Sequence, residues 1–197
     1  WSCGHAASVV RTESGLWVRK PYPELGVDLS KYSGSVAGKY GARNPPADYL
    51  AEGAKHRIRE VTELNSFEQV RDFLANGYGI STCGGEGFSS KRDENGVSRR
   101  QGSWSHAMAI IGADDRDVVK QKYGEPLVLI LNSWGTWNSG GTRVLGTNHE
   151  IPPGSFWAKW SDVQRRDMYA FSGVQGWFKR KIDFFGTDPA WGVALAT

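Results

Sequence analysis

The chain has 197 residues, of which 39% are hydrophobic and 23% charged, with a net charge of +3 and a mean hydropathy of −0.48. That length suffices for one domain with a sizeable core, and the composition is that of a globular chain rather than a disordered one. No apolar run approaches the roughly 20 residues a membrane helix needs, the small dispersed charge gives no argument for nucleic acid, and two cysteines make no disulfide framework.

In chain order, Ser2 is placed to cap a helix from Cys3 to about Arg11. The stretch from Gly15 to Pro46 is rich in Gly, Pro, Tyr and Ser and reads as loop with short strands. Ala47 to about His56 reads as helix and Val61 to Leu64 as a short strand. Ser66-Phe67-Glu68-Gln69 fits a capping box, and Phe67, Val70, Phe73 and Leu74 then share one face of a helix that Gly77 ends. Tyr78 to Cys83 predicts a strand. Gly84 to Trp104 reads as a glycine-rich loop long enough to wall a functional site.

His106 to Ala113 and Leu127 to Leu131 are apolar enough to predict buried strands, and Phe156 to Trp160 alternates like another. Ser161-Asp162-Val163-Gln164 predicts a second capping box, and Tyr169 to Phe178 a last strand or two. Helices early and strands late predict the α+β class in a single domain. Residues 1–60 would be mainly helix and loop, 61–175 mainly sheet, and 176–197 an apolar tail or arm. The pairs Lys91-Arg92, Arg99-Arg100 and Arg165-Arg166 and the run Lys179-Arg180-Lys181 are expected in solvent.

Three side chains then stand out. Cys3 lies at a helix start, His106 at a strand start and Asn132 at a strand end. A thiol is mostly protonated at neutral pH, and both a helix N-terminus and a neighbouring imidazolium favour the reactive thiolate. The structural alternatives are a small buried residue for Cys3, a core histidine for His106, a turn residue for Asn132 and plain packing for Trp134. Cys83 reads as a small core residue and Asp114-Asp115 as a turn. His5, His56 and His149 show no ligand spacing, so no metal or other cofactor is expected.

The order Cys, His, Asn, with Ser105-His106-Ala107-Met108-Ala109-Ile110-Ile111-Gly112 and Asn132-Ser133-Trp134-Gly135, resembles the papain-like cysteine peptidases. The likeness is strongest from Ala47 to Trp160. Cys3-Gly4-His5-Ala6 is nearer to compact bacterial and phage variants. The resemblance implies an N-terminal helical layer carrying the cysteine, packed on an antiparallel sheet or half-barrel carrying histidine and asparagine. It makes Cys3 the nucleophile and an oxyanion donor through its N–H, His106 the general base and acid, and Asn132 the residue that orients His106. Trp134 would shield the His–Asn bond and line the leaving-group side. The implied reaction is peptide or isopeptide hydrolysis of a polypeptide through a thioester.

The family's second oxyanion donor, a glutamine just before the cysteine, has no counterpart in Trp1-Ser2. An upstream segment or another chain is expected to supply it, since the chain begins at Trp1 rather than Met. A second register matches Cys3 to the family's upstream structural cysteine and puts Ala6 at the nucleophile position. Two alternatives therefore stay open: an impaired structural or interaction module of a larger assembly such as a phage particle, and a cell-wall amidase. Neither nucleic acid nor membrane is expected as a partner.

Overall fold

The computed structural model describes residues 4, 6–7, 14–18, 20–31, 33–41 and 47–174; Cys3 and the 176–197 tail lie outside the described residues. The chain divides into two compact units, residues 1–61 with 171–179 and residues 62–170 with 180–197.

In the first unit Gly4, Ala6 and Ala7 are helical. A small hairpin pairs β1 (Pro21–Tyr22) with β2 (Val27–Asp28) around a 3-10 turn, Pro23–Leu25. Proline fixes the start of that turn, and the Gly26 N–H closes it on the Pro23 carbonyl at 3.1 Å. Tyr22 is fully buried beneath it, its hydroxyl donating to Val18 O at 3.0 Å. Helix α1 (Gly34–Gly41) then corrects the expectation of loop and short strands alone. Its glycines disguise it in composition, but the Ser33 hydroxyl accepts from Val36 N as an N-cap does. Helix α2 (Ala47–Gly53) and a 3-10 turn, Ala54–His56, share the stretch predicted as one helix.

The second unit is built on a six-stranded sheet of order β3-β8-β4-β5-β6-β7. Its strands are β3 (Ile58–Glu63), β4 (Gly79–Phe88), β5 (Arg100–Asp114), β6 (Leu127–Leu131), β7 (Ser155–Lys159) and β8 (Asp167–Val174), and β3 and β8 also run past the unit's bounds. The pairs β4–β5, β5–β6 and β6–β7 are antiparallel. The helices are α3 (Phe67–Ala75), α4 (Asp117–Tyr123) and α5 (Trp160–Val163).

Helix α3 forms as its sequence dictates. The Ser66 hydroxyl accepts from Gln69 N at 3.2 Å, while Gln69 Oε1 accepts from Asn65 N at 2.7 Å, so the return bond reaches one residue before the cap. Ser66→Ala is expected to cost about 0.5–2 kcal/mol. A lower urea midpoint at unchanged slope would show it, and an unmoved midpoint would refute the cap.

Phe67 and Val70 of α3 are buried with Ile80, Met108, Ile110, Val128, Ile130 and Phe156 in the main core. On the other face of β6 and β7, Val119 of α4 joins Leu127, Leu129, Ile151 and Trp157. Cover on both faces explains why β6 is apolar at every position. Each large side chain fully withdrawn here contributes about 1.5–3 kcal/mol.

The stretch read as a loop from Gly84 to Trp104 is about half strand, since β4 reaches Phe88 and β5 starts at Arg100. Between Gly84 and Phe88 the register slips twice, leaving extra residues in β5. Gly87 lies so close to β5 that a Cβ there would meet Gln101 O at 2.4 Å, so the glycine serves strand packing. The true loop covers the β7 edge, with Ser98 N donating to Trp157 O at 2.8 Å and Trp157 N to Gly96 O at 2.9 Å. Arg92 is not solvated as expected: it donates to Ser155 O at 2.8 Å and its Nε is buried. Ser161 is not a cap either; the N-cap of α5 is Lys159, and Ser161 donates to the Glu125 carboxylate through N and Oγ. Among the described residues no helix is long and apolar enough to cross a membrane.

Candidate active site

Strand β5 alternates, and Met108 and Ile110 point into the main core. His106 and Trp104 are on the same side, both half-buried at its rim. The β5–β6 register pairs Ala109 with Leu131. Continued past the end of β6, it sets Asn132 across from Met108 and Trp134 across from His106. Asn132 is thus a diagonal, same-face neighbour of His106, a spacing that long side chains bridge.

They do so here. His106 Nε2 and Asn132 Oδ1 are 2.8 Å apart. An amide oxygen only accepts, so Nε2 carries the proton and, in the neutral ring, Nδ1 keeps a lone pair for a reacting group. Asn132 is 5% exposed. The Trp134 indole stacks on the imidazole, with centroids 4.6 Å apart and planes 23° apart, and is itself 42% exposed. It thus covers one face of the imidazole while remaining partly open to solvent.

No family model matches the chain, and no curated protein matches it. Among solved structures, the crystal structure of xylellain, a cysteine protease from Xylella fastidiosa, is similar with a TM-score of 0.50 at 15% identity. The match covers 86% of this chain and 60% of that one, so the chain spans about three fifths of that protein's length. The fold, mixed helix and antiparallel sheet, is shared with a cysteine protease.

Sequence reasoning missed several residues that complete the site. Trp104, Trp134 and Trp137 form a mutual cluster with centroids 5.0, 5.4 and 5.6 Å apart. Trp137 Nε1 donates to Gly154 O at 3.1 Å, which ties the cluster to the start of β7. Gly154 has φ +79°, and a Cβ there would lie 2.1 Å from Gly135 O. The turn from Asn132 to Gly135 thus rests directly on a glycine that no other residue can replace without displacing it.

Arg166 is the largest correction. It was expected in solvent with Arg165, yet Arg165 is exposed and the Arg166 side chain is fully buried. Its Nη2 donates to the His106 carbonyl at 2.9 Å, its Nη1 to the Glu86 carbonyl at 2.9 Å and its Nε to the buried Thr82 hydroxyl at 3.2 Å. Burial pulls the guanidinium below its ordinary pKa, with Glu86 and Asp167 opposing. Gly84, the ladder partner of His106, makes room for it: a Cβ there would meet Arg166 Cγ at 2.8 Å. Nothing local in Arg165-Arg166 distinguishes the two, so only the fold reveals this.

Of the predicted site residues, the structure brings His106, Asn132 and Trp134 together, while Cys3 lies outside the described residues. Cys83, opposite Ala107 in the ladder, is not a plain core residue but is half-buried and disulfide-bonded. Among the described residues no cluster of His, Cys, Asp and Glu could hold a metal ion.

Proposed function

We propose that the chain is a papain-like thiol hydrolase that cleaves peptide or isopeptide bonds through Cys3, His106 and Asn132. The observation that carries this reading is the Nε2–H···Oδ1 bond between His106 and Asn132 under the Trp134 ring. That arrangement leaves Nδ1 as the acceptor for proton transfer while Nε2–H is held by Asn132. In this reading a helical layer carries Cys3, whose Cys3-Gly4-His5-Ala6 context is nearer to compact bacterial and phage variants of the family. Nδ1 of His106 takes the thiol proton as Cys3 Sγ attacks the carbonyl carbon, and the resulting imidazolium protonates the departing amine. Water, deprotonated by the same nitrogen, then splits the thioester to release the acid and regenerate the thiol. The Cys3 N–H is one oxyanion donor.

The disulfide at Cys83 favours a second reading. The chain has two cysteines, so a bridge made within it at Cys83 leaves no free thiol for catalysis. In the register that puts Ala6 at the nucleophile position, the domain is an impaired interaction module of a larger assembly. Thiol titration of the denatured protein with and without reductant, followed by turnover assays, separates the two. The hydrolase reading expects reductant-dependent cleavage of casein that Cys3→Ser abolishes, and cleavage of purified peptidoglycan instead would indicate a cell-wall amidase. A folded, reduced protein that titrates two thiols yet turns over neither substrate would leave the module.

A further inference from the structure

We infer that Arg166 is a positioning residue for His106: its guanidinium fixes the strand bulge that carries the imidazole and so sets where Nδ1 points. The inference rests on the hydrolase reading for its consequence and on geometry for its substance. The ladder between β4 and β5 is regular from Ile80↔Ile110 to Gly84↔His106 and slips immediately afterwards. At such a slip the regular hydrogen bonds stop, and buried carbonyls need other donors. Arg166 supplies them on both strands at once, to Glu86 O on β4 and to His106 O on β5.

A planar fork with five donors meets several acceptors in one fixed geometry, which a flexible ammonium cannot do. Thr82 Oγ1 accepts from Nε, and Glu86 Oε2, 3.5 Å from Nη1, gives the buried cation a counter-charge. The imidazole is therefore held at two ends. Asn132 holds the tip of the ring through Nε2, and Arg166 holds the backbone from which the ring is hung. A core needing only volume here would be served as well by an apolar side chain, since burying a charge is costly. The bond to the His106 carbonyl is what an apolar residue cannot replace.

The test uses the whole chain with Arg166→Met and Arg166→Lys, the latter keeping charge and most of the volume. The readouts are far-UV circular dichroism, the His106 Nε2–H resonance in ¹⁵N-labelled protein, and kcat and KM on casein-derived peptides. In folded variants the Nε2–H signal is expected to weaken or vanish. kcat should fall roughly 10–100-fold, the range typical for a residue that orients a site ligand from behind, with KM nearly unchanged. Arg166→Lys should lie between Arg166→Met and wild type. A folded variant with the wild-type resonance and wild-type kcat would overturn the inference. Should Arg166→Met not fold, the Lys variant alone decides it by the same two readouts. Should the wild type turn over no peptide, the hydrolase reading fails while the resonance still decides whether Arg166 positions the ring.

Discussion

Replacing His106 with Ala is expected to lower kcat/KM for a peptide substrate by about 10²–10⁴-fold, the contribution of a positioned general acid–base. The fold should survive, because His106 sits half-buried at the rim of a core whose bulk comes from Met108, Ile110, Ile130 and Phe156. The structural cost is mainly Asn132 Oδ1 losing its donor in a buried place, about 1–3 kcal/mol. Steady-state kinetics on the folded variant checks the first claim and urea unfolding the second. Activity within a few-fold of wild type would remove His106 from the chemistry.

Gly154→Ala is expected to cost about 2–5 kcal/mol, combining roughly 1–2 for a left-handed backbone with 1–3 for overpacking. The backbone there has φ +79°, and the added Cβ would sit 2.1 Å from Gly135 O. Gly135 must then move, and Asn132 and Trp134, on the same turn, move with it. The variant should therefore lose the His106–Asn132 hydrogen bond as well as stability, visible as a lost Nε2–H resonance. Gly135→Ala is the contrast: its φ is +61° but nothing lies within 4 Å of the new Cβ, so only the backbone term applies. Equal costs for the two would show that contact with Gly135 is not what makes Gly154 necessary.

Where local chemistry decides the structure, the sequence was readable. The Ser66 cap, the apolar face of α3 and the all-apolar β6 follow from side chains acting on their own neighbourhood. Asn132 follows β6 as expected, but His106 lies inside β5 rather than at a strand start, because the hairpin with β4 extends the strand back to Arg100. Apart from helix α1, which its own glycines disguise, the misreadings come from contacts between segments far apart in the chain. Gly84, Gly85 and Gly87 suggest a loop in composition, but two of them are glycine because Arg166 and the Gln101 carbonyl lie against them. Trp104 could have been found: it continues the alternation of His106, Met108 and Ile110, and only the loop assignment hid it. Arg166 could not, since its acceptors at Thr82, Glu86 and His106 are 60 to 84 residues away in sequence.

The most direct measurement is alkylation of the reduced, folded chain with iodoacetamide at about pH 5.5, where an ordinary thiol of pKa near 8.5 scarcely reacts, with peptide mass spectrometry to locate the label. A thiolate paired with His106 requires rapid labelling of Cys3, far ahead of Cys83, and its loss in His106→Ala. Slow labelling of both cysteines, unchanged by that substitution, would contradict a Cys3–His106 pair and leave the interaction module as the function of this fold.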